Sequence, residues 1–343
     1  MGRVVLVTGV SMDLGRRFAR QLTADPAVDR VIGVDVLPPR GDIGTVQFVR
    51  ADIRNPIIAK VIAREQVDTV VHMSVIASPG SAGGRTSMKE LNVIGTMQLL
   101  AAAQQAPTLK HLVVKSSTAF YGATNRDPAM FTEDMTPRKQ VRSGYAKDVG
   151  EVESYVRGFA RRRPDVTVTT LRAANVVGPL INSPMTSYFK LPVIPTVFGF
   201  DARMQFLHEH DMLGSLQHAT LNPVHGTFNV AGAGLLMLSQ AIRRIGRPTV
   251  KLPTFAVATF GSAMRQARLA DFSPEQVAFL TYGRGVDTTR LRTVLGYAPR
   301  YSTQAAFADF STALAPGVFS AARVEAAEQT INGVLTSGGG NRA

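Results

Sequence analysis

The chain has 343 residues, enough for one large core or for a main domain with a smaller companion lobe. Hydrophobic residues make up 45% and charged residues 18%, which excludes a disordered chain, and the complete absence of cysteine excludes disulfides, thiolate metal sites and cysteine nucleophiles. The formal charge of +13 is scattered; its densest cluster, Arg161-Arg162-Arg163, reads as a solvated helix end, so neither a nucleic-acid partner nor membrane insertion is expected.

The chain enters a strand at once with Val4–Thr8. The run Arg3–Val7 is too short for a signal core, and no apolar run approaches bilayer length, so a cytoplasmic protein is expected. A helix follows from about Leu14 to Thr23. Strands are predicted at Val31–Asp35 and Val46–Arg50, a helix at Ile57–Arg64, and a buried strand at Val67–His72. Lys89–Ala106 is helical and ends at Pro107. Leu109–Ser116 is a strand, Gly144–Arg162 a long helix, and Val166–Ala173 a sixth strand. This alternation builds an α/β fold, a doubly wound parallel sheet of Rossmann type covered on both faces. After Asn175 prolines and glycines become frequent, which marks a smaller C-terminal substrate lobe. The expected division is 1–175 for the dinucleotide-binding domain, with 205–248 returning to it; 176–204 and 249–330 for the lobe; and 331–343 for a flexible tail. Phe206–Leu213 and Thr227–Val230 are expected to rejoin the main sheet.

The segment Gly9-Val10-Ser11-Met12-Asp13-Leu14-Gly15 lies between the first strand and the first helix. In a dinucleotide fingerprint the first Gly makes the turn, the second admits the pyrophosphate close to the backbone, and the third lets helix and strand pack. Gly9 and Gly15 hold the outer positions and Met12 the middle one. Two glycines alone are equally consistent with a plain tight turn. Asp35 strengthens the dinucleotide reading. It closes the second strand 20 residues after Gly15, where a carboxylate accepts the adenosine ribose hydroxyls and repels a 2′-phosphate. NAD is therefore the expected cofactor.

Several further motifs occur in order. They are Ala51-Asp52-Ile53-Arg54, Val71-His72-Met73-Ser74, Asn92-Val93-Ile94-Gly95-Thr96, and Leu171 to Pro179 with Asn175 at its centre. Together they give the chain, from residue 3 to about residue 310, a resemblance to the NAD-dependent epimerase/dehydratase family of extended short-chain dehydrogenases, most of all to its UDP-glucose 4-epimerase branch. The resemblance implies cofactor contacts from Asp52, Ile53, Met73, Ser74, Asn92 and Tyr145, besides those of Gly9, Met12, Leu14, Gly15 and Asp35. It also implies a nucleotide-sugar substrate and a homodimer.

By the same resemblance, Ser116-Ser117-Thr118-Ala119-Phe120-Tyr121-Gly122 points to Ser117 as the catalytic hydroxyl, and the Tyr-x-x-x-Lys helix places the catalytic phenol at Tyr145. The family's lysine position is Val149. Lys147 cannot replace it, because two residues rotate a helix by about 200°. Lys115, two residues before Ser117 on a strand, shares its face and is a candidate replacement cation; the alternative is that it snorkels to solvent. Substrate contacts are expected from Ser117, Asn175, Arg203 and Arg284, although Arg203 falls one residue before the family's arginine slot at Met204. His208 and His210 share a predicted strand face, but no third ligand accompanies them, and no metal is expected.

The expected activity is NAD-dependent epimerase- or dehydratase-like chemistry on a nucleotide sugar through transient hydride transfer. Met12 and Val149 leave open a catalytically impaired NAD sensor or scaffold. A reductase of a non-nucleotide substrate is the third reading.

Overall fold

A computed structural model of the protein describes residues 2–77, 83–137, 144–253 and 273–314. Its frame is a parallel sheet of seven strands: β1 (Arg3–Thr8), β2 (Val28–Asp35), β3 (Gln47–Arg50), β4 (Thr69–His72), β5 (His111–Ser117), β6 (Thr167–Ala173) and, numbered in advance of the lobe strands, β11 (Gly226–Val230). Their order across the sheet is β11-β6-β5-β4-β1-β2-β3. The strands form where Val, Leu and Ile run without alternation, because helices cover both faces. Val5, Leu6, Val7, Val70, Val71, Val113 and Val114 are fully buried.

The covering helices begin with α1 (Asp13–Leu22) and α2 (Ile57–Arg64). Next come α3 (Arg85–Lys89), a π-helical turn (Glu90–Ile94) and α4 (Gly95–Gln104), which run on from one another. This composite begins a turn before the expected Lys89, and the π turn carries the buried Asn92. The long α5 (Gly144–Arg162) has its predicted bounds.

Beyond β6 the chain forms short pieces: β7 (Asn175–Val177), α6 (Pro184–Phe189), β8 (Ile194–Val197), β9 (Arg203–Met204), β10 (Phe206–His208), α7 (Glu209–Leu221), β12 (Leu236–Met237), α8 (Leu238–Arg244), β13 (Thr249–Leu252), α9 (Pro274–Tyr282), α10 (Thr289–Thr293) and α11 (Thr303–Thr312). Thr227–Val230 does rejoin the main sheet, as β11 beside β6. Phe206–Leu213 does not. Its first three residues pair with β7 in a separate two-stranded sheet, and the rest is the start of α7. The His208 side chain accepts the His210 N–H at 3.2 Å and so caps that helix.

A second apolar core, separate from that of the sheet, gathers Tyr188, Phe189, Met204, Phe206, Ile242, Phe279, Phe307 and Phe310. Leu291 and Leu295, which follow in sequence, pack instead with the first core. The expected tail at 331–343 lies outside the described residues.

One buried ion pair ties α5 to the sheet. Arg172 on β6 binds Glu153 through Nη2 to Oε2 at 2.7 Å and Nε to Oε1 at 2.9 Å. Ser116 donates to the same carboxylate at 2.6 Å, and the guanidinium lies 3.8 Å from the Phe120 ring centre. Removing one partner of such a pair strands the other charge. Glu153→Leu should therefore cost about 3–5 kcal/mol in urea unfolding, and the double change Glu153→Leu/Arg172→Met should recover most of it. Equal losses in the single and double variants would show that the pair is not what holds this contact.

Candidate active site

The carboxyl ends of β1, β4 and β5 open into a cavity of about 900 Å³ that continues beneath the second core. Gly9, Met12, Leu14 and Gly15 form its first wall. Gly9 has φ +81°, and a Cβ there would sit 3.1 Å from Ser74 Oγ. A Cβ on Gly15 would meet the Gly9 carbonyl oxygen at 2.2 Å, so α1 can pack this closely only against a glycine. Met12 adopts an ordinary extended conformation (φ −80°, ψ 144°) and donates its N–H to Gly9 at 3.2 Å. The turn closes without a glycine there, and the Met12 side chain, 43% exposed, occupies the cavity rim.

Asp35 is oriented by this loop. Its Oδ2 accepts the Ser11 N–H at 2.9 Å and the Ser11 hydroxyl at 2.7 Å, and Oδ1 accepts the Val36 N–H at 2.8 Å. The uncharged Val36 and Leu37 that follow are exposed and offer nothing to a 2′-phosphate. Calorimetry should show NAD binding more tightly than NADP, and Asp35→Ala should narrow the ratio by about tenfold. Equal affinities in the parent would refute this assignment.

The remaining expected cofactor residues divide by position. Met73 lines the cavity, as do Val75, Ile76 and Ala77 after it, while Ser74 abuts Gly9. Asn92 acts through that loop, accepting the Ile76 N–H at 2.8 Å and donating to the Ile76 carbonyl at 2.9 Å. Asp52 is engaged by Arg54 at 2.7 Å, whose hydrogen bonds hold its carboxyl below the usual range. Ile53 is buried against Gly95.

Ser117 ends β5 and Tyr145 stands in the first turn of α5; both line the cavity, and the Ser117 hydroxyl is near enough to the phenol to lower its pKa. Burial pushes the phenol up to about 12, against the Ser117 hydroxyl; Asp148 and Glu275 add to the rise, and Arg284 opposes it. Val149 is fully buried in the apolar core and does not reach the cavity wall. Lys115 does. It makes no hydrogen bond or ion pair with any described residue, and burial pulls its ammonium below the ordinary lysine range. Neighbouring His72, bonded to Thr8 at 2.9 Å and Thr96 at 2.8 Å, is driven down to about 4, first by burial and then by the Lys115 charge. Lys115 thus points into the cavity rather than snorkelling outward.

Asn175 and Arg284 complete the expected substrate residues on the wall. Arg203 is not among them. It lies on β9, where its carbonyl accepts the Arg284 N–H at 2.9 Å. His208 and His210 do not share a strand face, because the first ends β10 and the second belongs to α7. His208 stacks on Tyr301 with ring centres 3.8 Å apart and bonds Asp309 at 2.9 Å.

Sequence reasoning did not find the group that supports α5 from below. Arg85 grips the fully buried Asp148 at 2.6 and 2.7 Å and donates to the Gly144 carbonyl at 2.8 Å. Glu275, from α9, accepts the Ala146 N–H at 3.1 Å and lines the cavity. Burial raises the Glu275 carboxyl above its ordinary range. Gly144, at φ +77°, has no room for a side chain, since a Cβ would fall 1.5 Å from Glu275 Oε1. The visible signal was Ser273-Pro274-Glu275, a helix start; nothing local says where that carboxylate reaches.

The sheet and its first turn make this a dinucleotide-binding Rossmann protein of the short-chain dehydrogenase kind. The model of the NAD dependent epimerase/dehydratase family matches residues 5–230, and the chain belongs to that family. The family's cofactor is NAD, and the turn at Gly9, the close packing at Gly15 and the oriented Asp35 fit it. An uncharacterised protein of Mycobacterium tuberculosis is 47% identical over 312 residues, covering 90% of this chain and 83% of that one. A probable UDP-arabinose 4-epimerase of Oryza sativa is 28% identical over 188 residues, 51% of this chain and 45% of its own. Among solved structures, UDP-glucose 4-epimerase with UDP-glucose from Thermotoga maritima superimposes with a TM-score of 0.70 at 18% identity, covering 90% of this chain and 98% of that one. No helix among the described residues is long and apolar enough to cross a membrane.

Proposed function

We propose that the protein oxidises a nucleotide-activated sugar transiently, as an epimerase or dehydratase does. The observation that carries this reading is the Tyr145–Ser117 pair on the wall of one cavity that runs from the dinucleotide turn to the lobe. Held between the Gly9–Gly15 turn and Asp35, NAD would supply a reversible hydride acceptor for the sugar carbon. Tyr145 takes the proton of the hydroxyl on that carbon, and Ser117 orients both oxygens. Arg284 is the cation that already lowers the phenol's pKa, and Lys115, on the same wall, would add to the positive charge that the helix lacks at Val149. The wall from Leu180 to Met185, with Asn175, borders the sugar and nucleotide. Ile94 in the π-helical turn and Tyr155 on α5 are exposed, and a homodimer formed through these two helices would cover them.

The test is a melting series with NAD alone and with NAD plus UDP-glucose, UDP-galactose or UDP, followed by product analysis. A ligand that prefers the folded chain raises its melting temperature. Stabilisation by NAD, further stabilisation by UDP compounds, and slow sugar conversion are expected. NAD binding without any response to UDP compounds would refute the sugar reading.

A further inference from the structure

Arg284 is built into the cavity with care. Gly283, at φ +70°, turns the chain just before it, and a Cβ on that glycine would strike the Arg203 carbonyl at 2.3 Å. The Arg284 N–H is then bonded to that carbonyl. The guanidinium donates from Nε to the Gly122 carbonyl at 2.9 Å, reaches Thr118 Oγ1 from Nη1 at 3.5 Å, and lies 5.1 Å from the Phe279 ring centre. Thr118 follows Ser117 directly, so the charge is held beside the Ser117–Tyr145 pair.

No carboxylate among the described residues forms an ion pair with it. The two acids that bear on it have other work. Asp127 accepts the Thr124 N–H and hydroxyl at 2.7 and 2.6 Å, and Glu275 accepts the first turn of α5. Nη2 has no hydrogen-bond partner among the described residues. Burial accordingly pulls the guanidinium down to about 10, and a buried cation of this kind is stable only when something of opposite charge meets it.

Resting on the nucleotide-sugar reading, we propose that Arg284 receives a carboxylate carried by the sugar itself, so that the substrate is a nucleotide-linked uronic acid rather than a neutral hexose. The planar fork of arginine suits a carboxylate, which Nη1 and Nη2 can meet together. Tyr145 and Ser117 mark the reacting carbon, so the anion belongs on the sugar ring close to that carbon. The diphosphate is the other anion available. It lies beyond the sugar's anomeric carbon, towards the nucleotide, whereas Arg284 is tied to the catalytic end.

Binding to NAD-loaded protein, measured by calorimetry, separates these cases. UDP-glucuronate should bind at least about tenfold more tightly than UDP-glucose. Arg284→Met should erase that difference, weakening UDP-glucuronate far more than UDP-glucose or UDP, and Arg284→Lys should keep part of it. Melting curves of both variants establish that they fold. Equal binding of the two sugars by the parent overturns the proposal and leaves the nucleotide-sugar reading standing. Uniform weakening of both sugars and of UDP in Arg284→Met assigns the residue to the diphosphate and also overturns it. Binding of none of the three ligands overturns both.

Discussion

Tyr145→Phe is expected to slow sugar conversion by about a thousandfold while leaving NAD affinity and melting temperature close to those of the parent. Positioned acid–base groups contribute about 10²–10⁴ in rate, and the Tyr145 phenol on this wall is the group proposed to take the proton of the substrate hydroxyl. Phe keeps the ring's packing and removes only the oxygen that Ser117 meets. Ser117→Ala should be milder, since it leaves the phenol in place. A Tyr145→Phe protein that turns over at the parental rate would end the case for this pair.

The second large effect concerns charge. With the phenol pushed up to about 12 in the cofactor-free chain, only about one molecule in 10⁵ is ionised at pH 7. Turnover at neutral pH requires a cation close to the oxygen, and each unit of pKa that it removes is worth a factor of ten. Lys115→Met should lower activity at pH 7 by about 10- to 100-fold. Loss of a neighbouring cation raises the phenol's pKa, so the alkaline limb of the pH–rate curve should move to higher pH, and the deficit should shrink only once the pH passes the parent phenol's own pKa. An alkaline limb that stays where it is in the parent would mean that Lys115 serves packing instead. Adding Val149→Lys to the Lys115→Met protein should restore part of the rate, because position 149 lies one helical turn beyond Tyr145. It should also lower the melting temperature, since Val149 sits fully buried among apolar side chains. Rescue is the informative outcome: it shows that the site needs an ammonium but not a particular strand or helix to carry it.

The sheet was readable because its strands are buried on both faces and spell this out in unbroken runs such as Val4-Val5-Leu6-Val7. The lobe was not. Its sheets are two-stranded, its strands are two to four residues long, and such pieces acquire meaning only from the partners they meet. Phe206–Leu213 shows the difficulty. The segment reads as one strand, yet a histidine ring caps a helix in its middle, a role more usual for Ser, Thr or Asp. In the site, Gly9, Gly15 and Asp35 were legible from local spacing, whereas Ser117 and Tyr145 were named only through the resemblance to the family. Arg284 could be named, but its place beside Tyr145 could not be seen, since that depends on Gly283 folding against a strand some 80 residues earlier. Glu275 escaped entirely for the same reason.

The Glu275 contact has a bearing on the order in which the molecule can be made. The carboxylate that finishes the first turn of α5 comes from 129 residues downstream. Domains generally take shape from the N-terminus during synthesis, and every strand of the seven-stranded sheet has left the ribosome by Val230. The nascent chain therefore holds all seven strands of the sheet, with the dinucleotide turn between β1 and α1, while the helix bearing Tyr145 still lacks its last support. The proposed catalytic end is thus completed after the nucleotide end. The contact joins α5 to α9 although two-fifths of the chain separates them, because α5 supplies the N–H that the Glu275 carboxylate receives.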